Sequence, residues 1–182
     1  MKHFVPSKEE VNEPARSIFE ALNNKLGMVP NIYAYTGHSG NTLKHYLAFT
    51  EGLSNGSFSG REREAVALAV AQANGCRYCQ SAHTALAKQA GFSEGETLQL
   101  REGSHPDEKL GALTRLAREI TTSKGNPAGE TLNEFEAVGY SQESLVELIA
   151  HISVNVFTNY IHRIADFEID FPVAPELEEA VD

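Results

Sequence analysis

The sequence predicts an all-α, single-domain helical bundle followed by an extended C-terminal arm. Two observations carry that reading. Helix start signals recur along the chain and glycines follow the apolar-periodic stretches, while strand-like alternation of period two appears only after Asp166. The expected division is a helical domain over 1–165 and an acidic arm over 166–182.

A first helix begins near Glu13-Pro14, where the fixed φ of proline suits the first turn, and runs to Lys25. Ile18, Leu22 and Leu26 form its apolar face, and Gly27 and Pro30 prevent its continuation. Gly27 to Asn31 reads as a turn. Asn41 to Leu53 reads as a second helix, with Leu43, Tyr46, Leu47 and Leu53 on one side and Phe49 at the edge. Small residues over 54–60 make a loop. Ser59-x-x-Glu62 is a capping box that opens Arg61 to Asn74, closed by Gly75. Cys76 to Ala90 follows and is closed by Gly91. Ser93-x-x-Glu96 opens a short helix to about Arg101. Asp107 to Ser123 sets Leu110, Leu113, Leu116, Ala117 and Ile120 on one face. A short helix near 128–137 precedes Gly139, and Ser141 caps the longest helix, which runs to about Ala165. In the arm, Phe167, Ile169 and Phe171 alternate with Glu168 and Asp170 before Pro172 and Pro175 interrupt. One apolar side predicts docking, on its own domain or on a neighbouring subunit.

The 182 residues carry a net charge of −10. Seven acidic residues (Asp166, Glu168, Asp170, Glu176, Glu178, Glu179 and Asp182) fall in the arm, leaving −3 for the rest. No basic stripe exists and the overall field repels phosphates, so no nucleic-acid partner is expected. The longest apolar run, Ala65 to Ala71, is seven residues, against roughly 20 for a membrane-spanning helix, so no membrane partner is expected either. Met1 to Glu10 contains no apolar signal core, and a cytoplasmic location is expected. Two cysteines cannot staple a domain of this size, and two thiols three residues apart point to redox or metal chemistry.

The informative pattern is Glu64-x11-Cys76-x2-Cys79-x3-His83. On a helix, Cys76, Cys79 and His83 fall within roughly 60° of one another, and the Cys79–His83 spacing of i, i+4 permits contact. A helix N-terminus favours negative charge, which helps a thiolate near Cys76. Glu64 sits on the preceding helix, apolar nearly all round and therefore central. A carboxylate facing inward there suffers desolvation, which raises its pKa toward that of a useful base. A tight turn at Gly75 brings the two helices side by side and makes a carboxylate–imidazole–thiol relay feasible. Gln80 after the second cysteine excludes c-type haem, and two thiols are too few for an iron–sulfur cluster. Zinc held by Cys76, Cys79, His83 and Glu64 is a rival, as is a pair of buried structural thiols.

The run from Arg61 to His83 resembles the carboxymuconolactone decarboxylase superfamily, in its alkylhydroperoxidase AhpD-like, peroxidase-related branch. Gly27-Met28-Val29-Pro30-Asn31 and Asn155 to Tyr160 are similar to that branch too. The resemblance implies a helical bundle of the AhpD-like type that assembles as a homo-oligomer, a trimer or a hexamer of dimers. It implies a thiol-dependent peroxidase that uses no cofactor, with an organic hydroperoxide as substrate and a dithiol, thioredoxin-like or lipoyl, as reductant. By position, Cys79 matches the peroxide-attacking cysteine, Cys76 the resolving one, and Glu64 and His83 the proton relay. The branch places a second histidine directly before the latter cysteine. Here that position is Tyr78, a possible modulator, whose phenol of pKa about 10 is a poor proton shuttle. The helix-dipole argument favours Cys76 as the leading thiol; the resemblance and the spacing to His83 favour Cys79, which is the choice made. Rivals are a lactone-decarboxylase-like acid–base enzyme using Glu64 and His83, and a redox-sensing module that toggles once.

Elsewhere, His151, Asn155, Asn159 and His162 form a polar stripe on the last helix, read as interface or capping groups. His38, His45 and His105 read as solvated. Phe58 and Tyr78 are candidate pocket walls, and Met28 is assigned to core packing.

Overall fold

Every residue from Ala65 to Ala71 is buried, which fixes the place of its helix at the centre of the molecule. This helix, α4 (Gly60–Ala73), is flanked by α5 (Arg77–Gln89), α6 (Glu94–Glu102), α7 (Glu108–Ser123) and α9 (Gln142–Ala165). The computed structural model describes residues 3–177, and among them there are nine α-helices and no strand. The remaining helices are α1 (Glu13–Leu26), α2 (Asn31–Thr36), α3 (Gly40–Ser54) and α8 (Gly129–Ala137).

Local chemistry explains most boundaries. Asn12 caps α1 through Ala15 N–H with Pro14 in its first turn, and Gly27 closes it at φ 76°. Reciprocal capping boxes at Ser59–Glu62 and Ser93–Glu96 open α4 and α6. Gly75, at φ 63°, makes the left-handed turn that folds α5 back along α4. A face of α4 carrying Val66, Ala69 and Val70 meets Leu113, Leu116 and Ala117 of α7 and Leu148 and Ile152 of α9. Another carrying Ala65 and Leu68 meets Ala87, Phe92, Leu100 and Leu110. At about 25 cal/mol per Å² of buried apolar surface, such faces supply the main drive for the bundle.

Four expectations are corrected. The stretch after Pro30 is not only a turn: α2 starts at Asn31, and its six residues are too few to show helical periodicity in sequence. Phe58 is core, edge-on to Tyr140 at 5.7 Å, rather than a pocket wall. His105 is buried against Phe92 instead of solvated, its Nδ1 accepting from Asp107 N–H at 3.0 Å. On α1, Ala15 and Phe19 take the buried positions, and Leu26 is half exposed.

The arm docks on its own domain in extended form. Phe167, Ile169 and Phe171 pack against Ile32, Tyr78 and Cys79 and their neighbours. Asn31 N–H donates to Asp170 Oδ2 at 2.7 Å, and Ala174 N–H donates to Ser81 Oγ at 3.1 Å. Arg77 and the fully buried Arg101 donate to the carbonyls of Ala174 and Pro175 at 2.9 and 2.6 Å. The acidic residues Glu178, Glu179 and Asp182, like Met1 and Lys2, lie outside the described residues.

Candidate functional site

Cys76 is the N-cap of α5, and its sulfur accepts the Cys79 N–H at 3.2 Å. The helix start therefore favours a thiolate at Cys76. Cys79 lies one turn further in, and both cysteines are free thiols. The two sulfurs share a hydrogen bond, so they titrate as a pair. The Cys76 thiol is held well below its ordinary range by the Cys79 hydrogen bond, against its burial, with help from the imidazole of His162. Cys79 is pushed far up by that same bond and by burial, with the polar side chains of Asn159 and Thr158 opposing the rise.

A cavity of about 470 Å³ opens between α3, α4, α5 and α9, with Phe171 of the arm as part of its wall. Cys79 lines it and Cys76 does not. Met28, assigned from sequence to the core, lines it too, beside Tyr33, Tyr46 and Tyr78. Glu64 and His83 face the same space, joined by a 2.8 Å bond between Glu64 Oε2 and His83 Nδ1. A carboxylate can only accept, so His83 Nδ1 is the donor and Nε2 is left for other partners. Burial would lower the His83 pKa, but Glu64 outweighs it and raises it. Glu64 therefore stabilises the charged form of the His83 ring. His83 is bonded to Glu64 and not to Cys79, so a proton passing between His83 and Cys79 crosses the cavity.

His162 is the residue that sequence reasoning left aside. It reaches from α9 to Cys76, its Nε2 lies 3.0 Å from the Phe167 carbonyl, and its ring overlaps Tyr78 at 5.1 Å. Burial works against its charge, but Cys76 raises its pKa. The imidazole missing before Cys79 is therefore matched by one from another helix. The only sequence signal was its place on the stripe with His151, Asn155 and Asn159. Tyr78 is buried, accepts the Ile32 N–H at 3.3 Å, and has its phenol pushed up by burial and by Asp170. Its part is to wall the cavity and support His162. Among the described residues no three His, Cys, Asp or Glu side chains gather as a metal site, because Glu64 and His83 engage each other and Cys76 faces His162.

Residues 41–121 match the model of the carboxymuconolactone decarboxylase family. No curated protein matches the sequence significantly. Among solved structures, an uncharacterized peroxidase-related protein with an alkylhydroperoxidase AhpD core from Ralstonia eutropha JMP134 superposes with a TM-score of 0.81, at 18% identity over 93% of this chain and 92% of that one. An uncharacterized peroxidase-related protein from Silicibacter sp. TM1040 gives 0.78, at 21% identity over 90% and 88%. The debrominase Bmp8, solved in complex with 2,3,4-tribromopyrrole as a cysteine-to-alanine variant, gives 0.72, at 22% identity over 87% and 84%. At such identities these structures establish a shared fold. With the family match confined to 41–121, they show an AhpD-like helical fold in a chain whose α3 to α7 segment resembles the carboxymuconolactone decarboxylase family.

Proposed function

We propose that the protein is a thiol-dependent peroxidase in which Cys79 attacks a hydroperoxide and Cys76 resolves the product. What supports this reading most is that Cys79 alone of the pair borders the cavity, with Cys76 hydrogen-bonded behind it and Glu64–His83 facing the same space. The low thiol pKa of Cys76 fits this assignment. As peroxide enters, the Cys76 thiolate takes the Cys79 proton across their hydrogen bond, and His162 steadies the anion beforehand.

The Cys79 thiolate attacks the terminal peroxide oxygen, the O–O bond breaks, and a sulfenic acid and an alkoxide form. The His83 imidazolium, held by Glu64, protonates the alkoxide to an alcohol. Cys76 then releases its proton and attacks the sulfenic sulfur, giving the disulfide and water. A dithiol of thioredoxin-like or lipoyl type restores both thiols by exchange. The oxidation consumes two thiols and one hydroperoxide and yields one disulfide, one alcohol and one water. We further propose that the protein acts as a homo-oligomer in the cytoplasm.

The deciding experiment follows hydroperoxide consumption with excess dithiothreitol, for the wild type, Cys79→Ser and Cys76→Ser. Catalytic turnover that Cys79→Ser abolishes is expected. Without dithiothreitol, Cys76→Ser should consume about one equivalent and stop at the sulfenic acid. A wild type that oxidises once and stops would be a sensor, and undiminished turnover in Cys79→Ser would overturn the cysteine mechanism. A second reading is favoured by the aromatic wall of Tyr33, Tyr46 and Phe171 together with the likeness to Bmp8. In it, the same dithiol reduces a carbon–bromine bond to carbon–hydrogen, releasing hydrogen bromide and forming the disulfide. Bromide release from 2,3,4-tribromopyrrole distinguishes it.

A further inference from the structure

Two polar groups facing the cavity take no part in this chemistry, one a cation with no carboxylate partner and the other an imidazole with an unpartnered nitrogen. The first is Arg63, whose Nη1 donates to the carbonyls of Phe58 at 2.6 Å and Ser54 at 3.3 Å. Among the described residues no carboxylate lies within ion-pair distance of its guanidinium. Glu64, next to it on α4, is taken up by His83, and Glu147 is bonded to the N–H and hydroxyl of Ser57. The second is His151, only 6% exposed, whose ring borders the cavity edge-on to Phe58 at 5.6 Å. Its Nε2 is buried with no hydrogen-bond partner. A buried polar atom left without a partner costs about 1–3 kcal/mol, so such atoms in a cavity wall mark places where a ligand completes the bonding. Burial and the nearby Arg63 both lower the His151 pKa, which leaves a neutral imidazole able to donate one hydrogen bond.

These groups lie at a definite distance from the reactive thiol. Thr158, which lines the cavity with Cys79, is seven residues beyond His151 on α9, about 10 Å along the helix axis. On the facing helix Arg63 stands one turn before Ala67, which lines the middle of the cavity with Val154 and Tyr46. A thiol therefore lies at one end, a largely apolar passage in the middle, and an uncompensated cation with a hydrogen-bonding imidazole at the other.

We propose that Arg63 and His151 form a subsite for the acidic head of the substrate, an organic hydroperoxide carrying a carboxylate roughly 10 Å from its peroxide group. Arg63 has Nε and Nη2 left for the carboxylate, and His151 adds a hydrogen bond from the opposite wall. The inference rests on the peroxidase reading for the identity of the reacting group, but the binding of the head does not depend on turnover.

The test therefore has two arms. In the first, wild type and Arg63→Gln are titrated calorimetrically with decanoate and with decanol. The wild type should bind decanoate about tenfold or more tightly than decanol, as a charge-assisted contact of about 1.5–3 kcal/mol implies, and Arg63→Gln should bind the two alike. In the second, kcat/KM is measured on the wild type for a fatty-acid hydroperoxide and its methyl ester. The acid should be preferred about tenfold or more, and His151→Gln should narrow the ratio. Equal binding of decanoate and decanol by the wild type overturns the subsite without involving any variant's folding. Arg63-dependent binding of decanoate by a protein that consumes no peroxide would retain the subsite and reject the peroxidase reading. Peroxide turnover with no acid preference would do the reverse.

Discussion

Two histidines approach the dithiol from opposite sides, and they are held in opposite ways. His83 comes from within α5 and is fixed by a carboxylate, Glu64, at 2.8 Å on the cavity side. His162 comes from α9 and is fixed by a backbone carbonyl, that of Phe167 in the arm, at 3.0 Å on the far side. The first faces the cavity, where the proposed mechanism has it exchange a proton with substrate. The second lies beside Cys76 and the aromatic rings around Tyr78, away from the cavity lining, and in the proposed mechanism it sets the charge of the sulfur behind Cys79. In the proposed mechanism a proton-transfer group and a charge-setting group therefore divide the work that sequence reasoning had placed on one relay.

The largest effect expected from breaking this division is at His83. Glutamine there keeps a polar head but cannot protonate an alkoxide, and general acid catalysis is worth about 10²–10⁴ in rate. His83→Gln should lower kcat by roughly that factor while leaving the reaction of the thiols with iodoacetamide nearly unchanged. A drop in alkylation rate matching the drop in kcat would show His83 acting on the thiols themselves, and the division would fail.

His162→Gln should do the opposite. With the imidazolium gone, Cys76 loses one of the groups that lower its pKa, and the alkylation profile should move about one pH unit toward the ordinary thiol value of about 8.5. With the folded Cys76 thiol at about 5, a one-unit rise leaves most of the thiolate in place at neutral pH, and the loss approaches tenfold only below about pH 5, where kcat/KM should fall and recover on raising the pH. The sign of the linked stability follows. Cys76, lowered in the fold, contributes fully above the unfolded thiol pKa and loses its contribution as pH falls through the folded value. His162, raised in the fold, contributes below about 6.5 and loses its contribution as pH rises through its folded value. Their pairing therefore stabilises the fold between the two shifted values and fades on either side. Denaturant titrations of wild type and His162→Gln should differ most within that window.

How far the sequence announced these two histidines differs for a physical reason. His83, Cys79 and Cys76 lie on one helix face, and a single turn at Gly75 sets them against Glu64, so spacing within twenty residues was enough. His162 stands 86 positions beyond Cys76, and no local pattern reports a contact across a bundle. The same holds for the fold. Helices with caps and closing glycines, such as α4 and α6, were legible almost to the residue. The six-residue α2 was not, because it depends on the arm, whose Asp170 receives the Asn31 N–H. Met28 and Phe58 exchanged roles for a similar reason: both are apolar, and only tertiary packing decides which one meets a cavity.

The arm gives two smaller ways to sharpen the comparison. Phe167 packs edge-on to His162 at 4.9 Å and against Tyr78 at 5.4 Å. Phe167→Ala removes both contacts but keeps the carbonyl that holds the imidazole. Because the ring is half buried, the cost should be about 2 kcal/mol in urea titrations, below the 3–5 of a full core phenylalanine. The Cys76 alkylation profile should move by less than in His162→Gln. An equal shift would mean that the ring, rather than the backbone carbonyl, orients His162.

The smallest effect belongs to Asp170→Asn. Asp170 Oδ2 accepts the Asn31 N–H at 2.7 Å, while its Oδ1 is buried without a hydrogen-bond partner. An asparagine can keep the accepting oxygen toward Asn31 and loses only the charge at the start of α2, a helix too short to have much dipole. The expected loss is about 1 kcal/mol or less, read as a small fall in the urea midpoint at constant slope. The thiol profile should stay where it is, since Asp170 holds the arm to α2 and Phe167 holds His162. If Asp170→Asn shifts that profile as far as His162→Gln does, the arm's attachment at α2 and the charge on Cys76 are one coupled device, and the far-side histidine is set by the whole arm instead of by one carbonyl.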